Sequence, residues 1–174
     1  MRVLFTDNEE NCSQDKVLME DREFEAGNIL MAVPLDFQEM EEWRKAALYP
    51  WEKRPELILQ NKEGTVHMTL QLLKREWPET ETFQAVLEMG RLLEGTFPVY
   101  EQSEVYLMET EKSVIGWLIL KMKEREEEHV KAIWPLDEGM ALYTLTYREK
   151  EREKWHVLNR RMLASVRPGK GSEW

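Results

Sequence analysis

Residues 103 to 147 read SEVYLMETEKSVIGWLILKMKEREEEHVKAIWPLDEGMALYTLTY, and this stretch decides the fold. It holds four runs with strand character: Val105 to Glu109, Val114 to Met122, His129 to Trp134 and Met140 to Tyr147. Short polar connections separate them, among them the acidic run Lys123 to Glu128 and the turn Asp137-Glu138-Gly139. Consecutive strands joined by short turns must pair antiparallel. In the second run Val114, Gly116, Leu118 and Leu120 alternate with Ile115, Trp117 and Ile119. Both faces are apolar, which predicts an interior strand covered on both sides. In the fourth run Met140, Leu142, Thr144 and Thr146 oppose Ala141, Tyr143, Leu145 and Tyr147. An amphipathic helix follows from about Glu149 to Val166, carrying Trp155, Leu158 and Met162.

The pattern extends upstream. A strand is expected near Lys16 to Glu20 and another at Val3 to Thr6. Glu25-Ala26-Gly27-Asn28 is a turn that launches the apolar strand Ile29 to Val33, ended by Pro34. Asp36 is placed to cap a helix from Phe37 to about Leu48, with Phe37, Met40, Trp43 and Leu48 on its apolar face. Leu57 to Gln60 and Thr65 to Leu72 form a hairpin about the Asn61-Lys62-Glu63-Gly64 turn. Its second strand sets Val66, Met68, Leu70 and Leu72 against Thr65, His67, Thr69 and Gln71, one face core and one polar. Trp77-Pro78 breaks the chain, and a helix from Thr80 or Thr82 to Glu94 carries Phe83, Val86, Leu87, Gly90 and Leu93 inward. Gly90 on that face predicts close packing on the sheet. The expected architecture is α+β: a three-layer α/β/α sandwich with a central, mostly antiparallel sheet. One domain is expected over residues 1–166, irregular before residue 16, with a flexible tail at 167–174.

Composition narrows the function. The 174 residues carry 24 Lys and Arg against 34 Asp and Glu, a formal net charge of -10. That balance argues against general nucleic-acid binding, which needs clustered cations. The one cysteine, Cys12, excludes an internal disulfide framework. No apolar run approaches the ~20 residues that span a bilayer. The N-terminus lacks the long apolar core of an export signal, so a cytoplasmic setting is expected.

The sequence holds no recognisable chemistry. His67, His129 and His156 are the only histidines, and none stands at a metal-ligand spacing. No phosphate loop or nucleophile motif occurs. The acidic runs Glu39 to Glu42 and Glu124 to Glu128 read as solvated surface. No cofactor and no metal are expected. Trp51 and Trp77 each flank a proline in a loop, where a large apolar ring needs a pocket or a partner. With Tyr49 they are the candidate residues of a protein or peptide site, since aromatic anchors concentrate at interface hot spots. Part of one face of an antiparallel sheet, left uncovered, would supply an apolar docking surface beside them.

Ile29-Leu30-Met31-Ala32-Val33-Pro34-Leu35-Asp36-Phe37, then Leu57-Ile58-Leu59 and the hairpin to Val66-His67-Met68-Thr69-Leu70, resemble the opening of PsbP-like domains. The ending resembles them too: Leu142 to Tyr147, a charged stretch, Trp155 and a helix closing on Met162 to Val166. The likeness spans roughly residues 15 to 166 and is one of fold. It implies a non-enzymatic protein-binding module, chaperone- or adaptor-like, because members of this superfamily mostly bind proteins. Two alternatives stay open: an immunity-type partner that blocks a toxin through its acidic surface, and a small enzyme built from residues far apart in sequence.

Overall fold

The computed structural model describes residues 16–74, 81–96, 99–122 and 124–174. The expected Val3–Thr6 strand, Cys12 and Trp77 lie outside these residues. In chain order the strands are β1 (Met19–Phe24), β2 (Ile29–Pro34), β3 (Gln38–Glu39), β4 (Leu57–Gln60), β5 (His67–Leu73), β6 (Val99–Gln102), β7 (Tyr106–Glu109), β8 (Val114–Met122), β9 (Glu127–Pro135), β10 (Met140–Arg148) and β11 (Arg167–Pro168). The helices are α1 (Glu42–Leu48), α2 (Thr82–Thr96) and α3 (Arg152–Ala164).

The fold is a mixed α+β sandwich about an antiparallel sheet. The large sheet runs β3-β4-β5-β10-β9-β8-β6, and β7 shares the outer edge of β8 with β6. A second, small sheet runs β1-β2-β11. Every strand pair among the described residues is antiparallel.

The alternation in the strands assigns the two faces of the large sheet. One face turns Met68, Leu70, Ile115, Trp117, Trp134, Tyr143, Leu145 and Tyr147 into the main core. There α3 brings Trp155, Leu158 and Met162, and β2 brings Ile29, Met31 and Val33. The Ala32 backbone N–H donates to Ser165 Oγ at 2.8 Å, tying the small sheet to the end of α3. On the other face, Leu118, Leu120, Ile133 and Met140 meet Ala85 and Val86 of α2. β8 is therefore covered on both sides, with Ile115 and Leu118 buried and Val114 and Ile119 half-buried. Two glycines let α2 settle this closely. A Cβ at Gly116 would stand 2.6 Å from Val86 Cγ2, and one at Gly90 would stand 2.9 Å from Leu118 Cδ2.

Five expectations are corrected. The Phe37–Leu48 helix begins only at Glu42, because Gln38 and Glu39 pair with β4 instead. Asp36 makes no cap, and Trp43 leaves the core to stand 69% exposed, its indole N–H donating to Glu41. The acidic run is not wholly a solvated turn: Glu127 and Glu128 open β9, and Glu128 is fully buried. The tail is not free either. Arg167 and Pro168 pair with β2, the Arg167 guanidinium meets Asp21 at 2.7 Å, and the Gly169 N–H donates to the Asn28 carbonyl at 2.7 Å.

Candidate functional site

α2 covers only the β8–β9 side of its sheet face. Along β10 the apolar residues Met140 and Leu142 lie under the helix, while Thr144 and Thr146 lie beyond it. The uncovered part is the floor of a groove of about 870 Å³. One wall is Leu93 of α2. The other is Arg44, Ala47 and Leu48 of α1 with the loop from Tyr49 to Pro55. Opposed residues in an antiparallel pair share a face. Register therefore lays the floor in two rows. One runs Thr69, Thr144, Lys131; the other runs His67, Thr146, His129. These two floor rows are polar, and Leu120, Met122, Leu142 and Leu93 add apolar surface to the same groove.

Two aromatic rings stand at the rim. Tyr49 and Trp51 meet edge to face with centroids 6.2 Å apart, and Trp51 is 59% exposed. Tyr49 points into the groove and its hydroxyl stands at hydrogen-bond distance from His67 Nδ1, 3.2 Å away. Burial, reinforced by the Glu127 charge, pushes the Tyr49 hydroxyl up to about 12, so it keeps its proton. The third candidate, Trp77, lies outside the described residues. Arg44 is held in the wall by donating to the Gly64 carbonyl.

The floor places ionisable groups in a low-dielectric setting. Burial first, then the His129 charge, pulls His67 down to about 4, so it stands neutral. Burial alone pulls the Lys131 ammonium down to about 8, and it donates to Thr144 Oγ1 at 3.0 Å. His129 Nε2 stands 3.4 Å from Glu127 Oε2, and this contact is the main reason that carboxyl lies below its usual range. Among the described residues no group of three or more His, Cys, Asp or Glu is placed to hold a metal ion.

His67 sets a testable pH dependence. Its folded value of about 4 lies below its ordinary 6.5. The unfolded chain therefore binds a proton that the folded chain refuses, and stability falls as pH drops from 6.5 towards 4. Denaturant midpoints measured across that window should lose a one-proton slope in His67→Gln. A slope unchanged in the variant contradicts the burial of His67 as a neutral ring.

The sequence marks His67 and His129 only as histidines that a cleft and a buried carboxylate would have to bring together, and it does not point to Lys131 or Glu127. Each is an ordinary polar position in its own strand. The available signal was collective: polar residues on the same face of strands that lie inside a sheet. Such a face is either uncovered or used.

No protein-family model matches the chain, and no curated protein matches it in sequence. Solved structures do. The chain is similar to cyanobacterial PsbP (CyanoP) from Synechocystis sp. PCC 6803, with a TM-score of 0.59 and 6% identity over 92% of this chain and 98% of that one. It is also similar to the Ran-binding protein Mog1p of Saccharomyces cerevisiae, with a TM-score of 0.53 and 11% identity over 88% and 96%. At these identities the likeness is one of fold, and the fold expected from the sequence is the one observed: this chain has the architecture of PsbP and Mog1p.

Proposed function

We propose that this chain is a non-enzymatic protein-binding module, chaperone- or adaptor-like, and that the half-covered sheet face is its peptide-docking groove. The observation that carries the proposal is the combination of an exposed Trp51 and a half-buried Tyr49 at the rim with a floor of hydrogen-bonding side chains. Aromatic rims supply rigid contact area and the floor supplies orientation. Mog1p, of the same fold, is described as binding another protein, Ran. A cytoplasmic setting belongs to the same proposal and is in keeping with a single cysteine. No described helix is long and apolar enough to cross a membrane.

The test is selection of a phage-displayed random dodecapeptide library on the full chain. Selected peptides should bind Trp51→Ala about 30-fold more weakly, the loss of one hot spot of about 2 kcal/mol. Thermal stability should change little, because an exposed side chain contributes within about ±0.5 kcal/mol. Selected peptides that bind the variant equally well would remove the groove from the binding surface.

A second reading has one observation behind it. His129 and Glu127 form a half-buried pair inside a cleft, as an enzyme's base and its orienting carboxylate do. Thr146 lies opposite His129 in register, but no hydrogen bond joins the two among the described residues. Turnover of p-nitrophenyl acetate that disappears in His129→Ala would favour this hydrolytic reading.

A further inference from the structure

The groove's charge runs against that of the chain. Acids outnumber bases overall, 34 to 24. The groove is lined by five cations (Arg44, Lys53, Arg125, Lys131, Arg148) and two carboxylates, Glu124 and Glu127. Of these carboxylates Glu127 is engaged by His129.

Lys131 is the distinctive member. It rises from an interior strand, flanked by β8 and β10, at the β9 end of its floor row. Its ammonium carries three N–H donors. Thr144 Oγ1 accepts one of them at 3.0 Å, and no carboxylate among the described residues lies within ion-pair distance. A largely buried charge with no counter-ion is costly, and cores normally avoid one or pair it. The site is therefore built for an anion that comes from outside. The wall decides which kind. Leu48, Trp51, Leu93 and Met122 line the same groove as Lys131 with apolar and aromatic surface, which a bare inorganic anion has no use for.

We propose that the occupant is an acidic peptide segment, with one Asp or Glu carboxylate seated on the Lys131 ammonium and the Thr144 hydroxyl and with neighbouring apolar side chains packed against the Trp51 rim. This rests on the docking groove proposed above and adds the chemistry of its ligand. The Lys131 ammonium donates to the carboxylate, and the Thr144 hydroxyl, which accepts from Lys131, is free to donate to it as well. The chain's net negative charge opposes the approach only at long range. At physiological salt that repulsion is screened beyond ~8 Å, and the local cations decide the contact.

The same dodecapeptide selection tests this on the full chain. Selected sequences should be enriched in Asp or Glu beside apolar residues. Changing the key acid of the best peptide to its amide should weaken binding about tenfold or more, the size of a lost charge-assisted hydrogen bond. On Lys131→Met the acid and amide peptides should bind alike, and on Thr144→Val the gap between them should narrow. Raising the pH from 7 to 9.5 should weaken the acidic peptide but not the amide, since Lys131 loses its proton near 8 while Tyr49 holds its own to about 12. Arg44, Lys53, Arg125, Arg148, His67, His129, Glu124 and Glu127 line the same groove, so this pH response should be absent on Lys131→Met. If the peptides depend on Trp51 yet bind Lys131→Met with an unchanged acid preference, the carboxylate assignment is overturned and the groove reading stands. If they ignore Trp51, both fall. If millimolar inorganic phosphate displaces them completely and binds Trp51→Ala as well as the parent, the site is one for simple anions and the peptide proposal is wrong.

Discussion

Trp155→Ala should lower stability by about 3–5 kcal/mol, the usual range for deleting a large buried aromatic. Trp155 is 3% exposed and is the ring that fastens α3 to the sheet. It stacks on Tyr147 of β10 at 6.3 Å and lies 5.9 Å from Phe37, so one side chain joins the last helix, the central sheet and the segment after β2. Among the described residues its indole N–H has no hydrogen-bond partner, so the loss is one of packing. Trp155→Phe should therefore retain most of the stability. At this chain length the alanine variant's Tm should fall by roughly 6–20 °C. A drop under 2 °C, by calorimetry on the soluble variant, would contradict the three-layer packing described for α3.

Tyr147→Phe should cost about 1.5–3 kcal/mol, the value of a hydrogen bond to a charged group. The partner is Glu128, whose side chain has no exposed surface. Its Oε2 accepts from Tyr147 Oη and from His156 Nε2, each at 2.8 Å, and Arg152 Nε stands 3.5 Å from Oε1. Burial raises this carboxyl, but the bonds from His156 and Tyr147 and the His156 and Arg152 charges outweigh burial and hold it below the usual 4.5. Burial, then the Glu128 charge, pushes the Tyr147 hydroxyl strongly up, so it remains the donor. A depressed carboxylate contributes stability above its unfolded value and loses it as pH falls through the folded one. The gap between parent and Tyr147→Phe should therefore be full above the usual 4.5 and should narrow as the pH falls below it, through the folded value. Urea denaturation at several pH values reads it directly. A gap of unchanged size at low pH would mean that the charge of Glu128 adds nothing to the hydroxyl's contribution.

The sequence made the sheet legible because period-2 alternation survives in strands covered on both sides. β8 showed two apolar faces, and β5 and β10 showed which residues lie together. Gly90 announced the close approach of α2. The misplacement of Trp43 has a definite cause. Helical spacing was extended through residues 38 and 39, whose backbone pairs with β4, and this changes the phase of everything after them. Arg167 and Pro168 looked like a tail because their ordering comes from partners 130 or more residues away, Asp21 and β2. Glu128 looked solvated because its partners, Tyr147, His156 and Arg152, come from later elements. Tyr49 and Trp51 could be picked out as rings beside a proline. The floor beneath them could not, because His67, Thr144 and Lys131 meet only through the β5-β10-β9 register. Local pattern marks which residues share a face, and strand order decides which faces share a site.

The binding role of the half-covered sheet face is tested most directly by amide chemical-shift mapping of the 15N-labelled chain with a library-selected dodecapeptide. The expected result is saturable shifts at His67, Thr69, Lys131 and Thr144 together with the Trp51 indole signal. Shifts confined to the opposite side of the molecule, around α3 and the small sheet, would contradict it.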